Sequence, residues 1–180
     1  MKKLLVALML TCTASAGFLV EPYANFRLGS HDIKVDGVLS SVDGDYEFGL
    51  TGQEIGARIG YSFVMVMAGI DYNIGSLKAS FDKSTASSST LEDDIDYDTT
   101  NLGLFVGVEL PILLRGWATY YLDSELEKDN GDKLSGDGLG LGVGFTGLPF
   151  VSLNLEYRTL SFEDDGIEYD NNEIILGVSL

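Results

Sequence analysis

Residues Glu173 to Leu180, which read E-I-I-L-G-V-S-L, decide the fold of this chain. The even-numbered positions of this stretch are apolar, whereas the odd-numbered ones include Glu173, Gly177 and Ser179. Because side chains alternate between the two faces of a strand, the pattern predicts a strand with one apolar face and one mostly small or polar face. An unpaired edge strand invites association with other chains, so we expect this strand to pair with the first strand of a barrel.

The same period of two recurs through the rest of the chain. It predicts seven further strands, at residues 17–30, 54–63, 66–75, 101–110, 114–122, 139–145 and 151–159. Short connections at 64–65, 111–112 and 147–149 alternate with long polar ones at 31–52, 76–100, 123–137 and 162–172. This strict alternation predicts an all-β fold, an eight-stranded antiparallel up-and-down transmembrane barrel with short turns at one end and four long loops at the other.

Composition limits the chain to one domain and excludes one class of partner. The chain has 180 residues and a formal net charge of -17 at pH 7, and this acidity argues against a nucleic-acid partner. With 45% hydrophobic residues and 22 glycines, it does not have the composition of a disordered chain. No apolar run after the N-terminus reaches about 18 residues, so we expect no membrane-spanning helix.

Residues 1–16 have the three parts of a secretory signal peptide. A basic start is followed by an apolar stretch at 4–10 and by an A-x-A cleavage site at 14–16. The sequence therefore predicts a signal peptide at 1–16 and a mature barrel domain at 17–180. An alternative makes Cys12 the modified cysteine of a lipoprotein, but the residues just before it are not the usual small ones.

Charged side chains indicate which face of each strand points inward. All four arginines of the predicted mature chain lie on polar strand faces, whereas its five lysines fall in the predicted loops: Lys34, Lys78, Lys83, Lys128 and Lys133. Arginine forms bidentate pairs with carboxylates in confined space better than lysine does. We therefore expect apolar side chains to face lipid and an ion-pair network to occupy the lumen. The predicted network comprises Glu21, Arg27, Glu54, Arg58, Asp71, Glu109, Arg115, Glu156 and Arg158.

The width of the predicted barrel bears on conduction. Eight strands leave an interior that side chains just fill. Because the inward charges nearly cancel, we favour lumen filling over an ion path. The inward glycines at 138, 140, 142 and 144 leave room for large neighbours such as Trp117 and Tyr121 or, alternatively, form a water-filled slot.

Several aromatic residues lie near the predicted strand ends. Membrane barrels carry aromatic girdles at both interfaces with water, so these residues are girdle candidates. The alternative is the ordinary aromatic content of strands. The candidates include Phe18, Phe63, Phe145, Phe150 and Tyr157.

The chain resembles the small OmpA/OmpX-type eight-stranded outer-membrane barrels of Gram-negative bacteria. The stretches that carry the resemblance are I-G-A-R-I-G-Y-S-F at 55–63, A-G-I-D-Y at 68–72, L-G-L-F-V-G-V-E-L-P at 102–111 and the closing strand. The resemblance implies export through the periplasm to the outer membrane, periplasmic short turns, and a monomer in contact with lipid, lipopolysaccharide and the outer-membrane assembly machinery. Family members usually end in an aromatic residue, whereas this sequence ends in Leu180, and we expect no periplasmic peptidoglycan-binding domain.

The sequence offers no constellation for catalysis. The single histidine, His31, stands between Ser30 and Asp32, but a triad requires convergence in space, and we predict a loop histidine. No CxxC, HExxH or phosphate-binding glycine loop is present. Residues 129–132 resemble part of a calcium loop but lack the spaced ligands of an EF-hand, so we predict a turn there. We expect no catalytic, cofactor or metal site.

Three functions remain open from the sequence. The leading hypothesis is a non-enzymatic outer-membrane barrel with a structural or surface-interaction, adhesin-like role through acidic outer loops. The alternatives are a narrow channel and a lipid A-modifying enzyme. Most acidic residues fall in the predicted loops, where they form a solvated surface or, as further hypotheses, gather divalent cations that bridge to lipid phosphates or present an adhesive surface.

Overall fold

The computed structural model describes residues 17–34, 46–81, 95–128, 133–164 and 167–180, and the predicted signal peptide lies outside these ranges. Eight antiparallel strands close into one barrel, in which each strand pairs with the next and the last pairs with the first. The fold predicted from period-two alternation is confirmed. Within the described ranges, no helix is long and apolar enough to cross a membrane. The strands are β1 (Gly17–Lys34), β2 (Tyr46–Phe63), β3 (Val66–Phe81), β4 (Ile95–Leu110), β5 (Leu114–Lys128), β6 (Lys133–Phe145), β7 (Ser152–Asp164) and β8 (Ile167–Ser179).

β8 closes the barrel by pairing with β1. The pairing runs from Ser179 opposite Tyr23 to Glu168 opposite Lys34. Beyond β8, the Leu180 N–H donates to the carbonyl oxygen of Pro22 over 3.1 Å. This pairing leaves no free edge along the length of β8, as the alternation of residues 173–180 predicted.

The strands run further from the short turns than the sequence predicted. β1 continues to Lys34 and β2 starts at Tyr46, so much of the predicted loop 31–52 is strand, and the other three predicted loops are shortened in the same way. The predicted boundaries are wrong because alternation continues past them with the apolar and polar faces exchanged. Of the lysines predicted in loops, Lys83 lies outside the described residues, and the ones on strands are Lys34, Lys78, Lys128 and Lys133.

The barrel has two sections with opposite interiors. In the lower section, next to the short turns, the outer wall is apolar and the interior is polar. In the upper section, beyond it, the interior is apolar and the outer wall is polar. The wall of the lower section includes the exposed residues Leu102, Leu104, Val106 and Val108. The upper interior, here called the apolar plug, comprises Leu50, Leu77, Ala79, Tyr121, Leu126, Leu160 and Phe162, with Tyr97, Leu134 and Tyr169 packed against them.

This exchange of faces sets the level of the lipid surface. Apolar side chains on an outer wall are stable in hydrocarbon, and the lumen of such a barrel is polar. A closed barrel in water instead hides its apolar side chains inside. The lower section therefore has the arrangement of a membrane barrel, and the upper section has that of a barrel surrounded by water.

Each short connection contains one non-glycine residue with a positive φ angle: Val64 at 59°, Leu113 at 65° and Phe150 at 71°. The left-handed region strains residues that carry a Cβ, above all the β-branched Val64. The turns lie where the sequence predicted short connections, although these three positions carry none of the usual turn residues. A backbone hydrogen bond of 2.7 Å from the Glu109 N–H to the Met65 carbonyl ties the first turn to β4.

The five girdle candidates are all exposed. Four of them lie near the short turns, where the rings of Phe18 and Tyr61 also meet edge to face with centroids 5.7 Å apart. The fifth, Tyr157, lies further up β7, opposite Ile174. A girdle at the lower interface stays a prediction, and Tyr157 does not belong to that level.

Candidate functional site

The charged interior of the lower section is the candidate functional site. Every strand of a barrel alternates inward and outward side chains, so the residues between the lipid-facing ones point into the lumen. The structure buries eight of the nine residues predicted for the lumen network, namely Glu21, Arg27, Glu54, Arg58, Asp71, Arg115, Glu156 and Arg158.

Glu109 is the predicted network residue that does not join the others. Its side chain is exposed, although Phe105 and Gly107, on the same face of β4, are buried. It is the penultimate residue of β4, next to a short turn. Alternation assigns the correct face, but the packed interior ends before the strand does, so the prediction of a lumen position is wrong.

Two arginine–carboxylate forks span the upper part of the network. Arg27 donates from Nε and Nη2 to the two carboxylate oxygens of Glu173, over 2.8 and 2.7 Å. Arg158 donates from Nη1 and Nη2 to the two carboxylate oxygens of Glu54, both over 2.9 Å. Arg27 Nη1 lies 3.6 Å from Glu54, which links the two forks. Bidentate pairs fix the geometry of both partners, so the forks brace four strands across the lumen.

Arg58 is the centre of the lower part of the network. Its Nε donates to Asp71 over 3.0 Å, and its Nη2 donates to Glu156 over 3.2 Å. Its Nη1 lies 3.5 Å from Glu21. The guanidinium also lies over the ring of Trp117, 4.2 Å from the centroid, and a cation–π contact of this kind is strongest where water is excluded.

Arg115 completes the network on the side of the short turns. Its Nη2 donates to Glu21 and, over 2.8 Å each, to Asn154 Oδ1 and Ser179 Oγ. Among the charged groups that the structure describes, only Arg115 Nε and Glu21 Oε2 are buried without a hydrogen-bond partner. The protein itself therefore satisfies almost all of the hydrogen-bonding groups of the described network.

Neutral side chains that the sequence prediction did not include complete the interior. Tyr23 donates to Asp71 over 2.5 Å. The hydroxyl of Tyr121 and the indole N–H of Trp117 both donate to Glu156, over 3.0 and 3.2 Å. The other buried polar residues of the interior include Asn25, Asn73, Thr99, Asn101, Asn154 and Ser179.

Glu173 is the charged residue that the predicted network left out. It is buried, and it brings the described interior to four arginines and five carboxylates. Its place opposite the apolar face of residues 173–180 was a signal that alternation alone supplies. An interior so close to neutral lacks the ring of one charge sign that selects ions in a pore.

The inward glycines of β6 face large side chains. A Cβ built on Gly142 would overlap the indole ring of Trp117, and one built on Gly140 would lie 3.2 Å from the ring of Tyr121. These two aromatic residues occupy the space opposite the glycines. Of the two alternatives that the sequence left open, room for large neighbours describes this part of the lumen.

Gly142→Ala is expected to lower the free energy of unfolding by about 1–3 kcal/mol, because the added methyl must displace Trp117 in a packed interior. Chemical denaturation in lipid vesicles measures the change. Gly116→Ala on the neighbouring strand is the matched control, because a Cβ there meets only the Gly142 carbonyl oxygen at 3.7 Å. Its change is expected to stay below about 1 kcal/mol. Equal losses in the two variants would contradict a packing role for Gly142.

The apolar plug lies directly above the charged network. Tyr121 belongs to both, because its ring packs in the plug and its hydroxyl donates to Glu156. The guanidinium of Arg158 lies 4.6 Å from the centroid of the same ring. From the short turns upward, the interior is thus occupied first by ion pairs and then by apolar side chains.

Two sequence features bear on possible chemistry. The predicted loop histidine, His31, lies in β1 instead, because β1 runs past the predicted end of the strand. Residues 129–132 lie outside the described residues. In the part of the chain that the structure describes, no group of three or more His, Cys, Asp or Glu side chains is placed to hold a metal ion.

Comparison with known proteins gives a family and a fold. The family described as the outer membrane protein beta-barrel domain matches residues 4–180. No curated protein matches the chain by sequence. The crystal structure of Neisserial surface protein A (NspA) is 15% identical, with a TM-score of 0.51 over 90% of this chain and 98% of its own. Ail, the attachment invasion locus protein of Yersinia pestis, is 11% identical, with a TM-score of 0.47 over 89% of this chain and 98% of its own.

Proposed function

Because this chain belongs to the outer membrane protein β-barrel family and lies in the bacterial outer membrane, we propose that it is a sealed, non-enzymatic barrel that raises its outer segments above the lipid for contact with other molecules. The observation that supports this function is the occupied interior, with the charged network below and the apolar plug above.

The occupied interior argues against conduction. An eight-stranded barrel is only wide enough for its own side chains. A passing ion would have to separate a buried fork such as Arg158–Glu54 and then lose its hydration beside Phe162 in the plug. Both steps are costly, because buried charges and polar groups need partners. We therefore favour the sealed barrel over the channel.

The upper section supports a role in display. β3, for example, continues from its last lipid-facing apolar residue, Ile74, to Phe81. At about 3.3 Å per residue and a tilt near 40°, such an extension lifts the strand end roughly 18 Å above the lipid. The apolar plug gives this raised part a core of its own. The segments 35–45 and 82–94 would then be joined to a stiff base rather than to the lipid surface.

The proposed contact surface combines these segments with the outer wall of the upper section. Segment 82–94 carries the acidic residues Asp82, Glu92, Asp93 and Asp94. We expect such a surface to attract cationic partners, including divalent cations that bridge to lipopolysaccharide phosphates. We also propose that the chain is a monomer. Its other partners are then outer-membrane lipid and, during insertion, the assembly machinery.

We expect the purified chain to give no stable current steps in planar lipid bilayers, because the network and the plug leave an ion no hydrated path. Phe162→Ala thins the plug but keeps the forks, so this variant is also expected to stay closed. Overexpression is expected to leave the acyl-chain number of lipid A unchanged. Stable steps from the wild type would overturn the sealed barrel, and an altered acyl number would overturn its non-enzymatic character.

The proposed contact of the outer segments with other molecules is tested by a separate experiment. Replacing residues 82–94 by a short Gly-Ser connection should leave the barrel folded, as judged by the difference in gel mobility between unheated and heated samples. The same replacement should reduce the attachment of cells to a polycationic surface. The same replacement of residues 129–132, which join β5 to β6, is the control. Unchanged attachment after the first replacement would remove the adhesive role of that segment.

A further inference from the structure

The three short turns of the barrel carry large apolar side chains. They comprise residues 64–65, 111–113 and 146–151, here called the apolar turns, and none of these residues is charged. Turns that stand in water are usually built from Gly, Pro, Asn, Asp and Ser. A large apolar surface exposed by a protein marks contact with a membrane or a partner. The exposed apolar residues of the turns include Val64, Ile112, Leu113, Leu148 and Phe150, and the last of these is 91% exposed.

The lipid-facing wall of the strands is too short to span the hydrocarbon by itself. Its exposed apolar side chains run from Leu102 to Leu110 on β4 and from Val66 to Ile74 on β3. At about 3.3 Å per residue and a tilt near 40°, each run is roughly 20 Å high, whereas the apolar band of outer-membrane barrels is about 25 Å tall. Turn residues 64–65 and 111–113 continue these runs with no polar residue between. The apolar turns therefore supply the missing depth.

Two carbonyl groups of the apolar turns are paired within the protein. In hydrocarbon, a backbone N–H or C=O group has to find its partner inside the protein, because water is absent. The Met65 carbonyl of the first turn accepts from the Glu109 N–H over 2.7 Å. The Leu113 carbonyl of the second turn accepts from the Thr146 N–H over 2.9 Å. These hydrogen bonds link neighbouring hairpins at the lower end of the barrel and suit it to surroundings without water.

Each apolar turn keeps a large side chain where the backbone favours glycine. Val64, Leu113 and Phe150 all have positive φ angles, a conformation that Gly, Asn or Asp adopts with less strain. The local backbone therefore does not account for these side chains, and strained positions of this kind are retained where the surroundings use them. Because every short turn has one, the requirement extends around the whole lower end. Such a ring fits surrounding lipid better than a protein docked on one side.

We propose that the apolar turns insert among the phospholipid acyl chains of the leaflet that faces the periplasm, the side on which barrels of this kind have their short turns. Strands and turns together then span the hydrocarbon, and the wall of the lower section continues without a break into the turns. Glu109, close to the second turn, lies on the inward face of β4 and so avoids the lipid.

Spin labelling of the full chain in vesicles of dimyristoylphosphatidylcholine tests the proposal. Cys12 is the only cysteine of the sequence, so Cys12→Ala gives a background in which one introduced cysteine carries the nitroxide label. Ile112→Cys and Leu148→Cys place the label on two of the apolar turns. The references are Leu104→Cys, on the lipid-facing wall, and Ser80→Cys, on the exposed outer wall of the upper section.

The accessibility of each label to two relaxing agents reports its surroundings. Oxygen concentrates in hydrocarbon, whereas a water-soluble nickel chelate stays outside it, and the label at Leu104 gives the ratio of the two for hydrocarbon. At both turns, the ratio of oxygen to nickel accessibility is expected to be severalfold higher than at Ser80. A ratio equal to that at Ser80 would overturn the proposal, because the turns would then stand in water and be free to bind a periplasmic protein.

The sign of the stability change in Phe150→Asn provides a second test. Asn tolerates a positive φ better than Phe, so with the turn in water this variant would be at least as stable as the wild type. With the turn in lipid, withdrawing the phenyl group from hydrocarbon is expected to lower the equilibrium constant of folding roughly tenfold or more. Phe150→Leu stays apolar at the same φ and is expected to lose much less. Urea titration in the same vesicles measures both variants, and a Phe150→Asn variant as stable as the wild type would overturn the proposal.

Discussion

Arg158→Met is expected to lower the free energy of unfolding by about 3–5 kcal/mol, because it removes the bidentate partner of the buried Glu54 carboxylate. Arg158 is fully buried, holds both oxygens of Glu54 and also donates to Glu156 over 3.1 Å. Methionine has a similar length but no donor. Denaturant titration in lipid vesicles measures the loss. The fluorescence of Trp117 reports it from within the network, because this residue is the single tryptophan of the chain.

Two companion variants show whether this loss belongs to the buried fork. Lys78→Met removes an exposed ion pair, with Asp96, and surface pairs contribute only about 0–1 kcal/mol. Arg158→Met with Glu54→Gln removes both partners of the fork and is expected to be more stable than the sum of its single variants predicts. A loss below about 1 kcal/mol for Arg158→Met would mean that the network only fills space.

Phe162→Ala is expected to lower the free energy of unfolding by about 3–5 kcal/mol, because it opens a cavity in the apolar plug, which the barrel shields from both lipid and water. Phe162 is 2% exposed and packs in the apolar plug, near the upper end of β7. The loss should appear in denaturant titration. It should also appear as faster proteolysis of the upper section, since this section has no lipid around it.

The neighbouring residue provides the control for Phe162. Glu163 is exposed on the outer face of the same strand, so Glu163→Ala is expected to change stability by no more than about 0.5 kcal/mol. If the upper section were an open polar tube, both variants would behave alike. Equal stability and equal proteolysis of Phe162→Ala and Glu163→Ala would therefore contradict the apolar plug.

The sequence could predict the lower section because one rule governs it. Apolar residues face lipid at every second position, as in Leu102 to Val108, and the residues between them point inward. Strand number, closure and the inward face of Arg58 and Arg158 all follow from this rule. The upper section escaped prediction because its alternation has the opposite polarity, so residues such as Leu77 and Phe162 looked like parts of polar loops.

The partners within the network could not be read from the chain. Arg27 binds Glu173, which is 146 residues away, because barrel closure places β8 beside β1. The alternation along a strand predicts which face a residue occupies. It does not predict how far along the barrel axis the residue lies or which side chains it meets across the lumen. Glu109 shows the same limit, since its face was predicted correctly and its depth was not. The turn at Val64 was located by the gap between strands rather than by turn residues.

The two interiors also respond differently to heat. Stabilisation by apolar burial levels off at high temperature, whereas the cost of desolvating buried ions declines. The apolar burial in the plug therefore offsets less of the conformational entropy of the unfolded chain as temperature rises, whereas the arginine–carboxylate forks of the lower section remain stabilising. On warming, the rim of the barrel should melt before its membrane-embedded half, so the outer segments would lose their base while the barrier across the membrane stays shut.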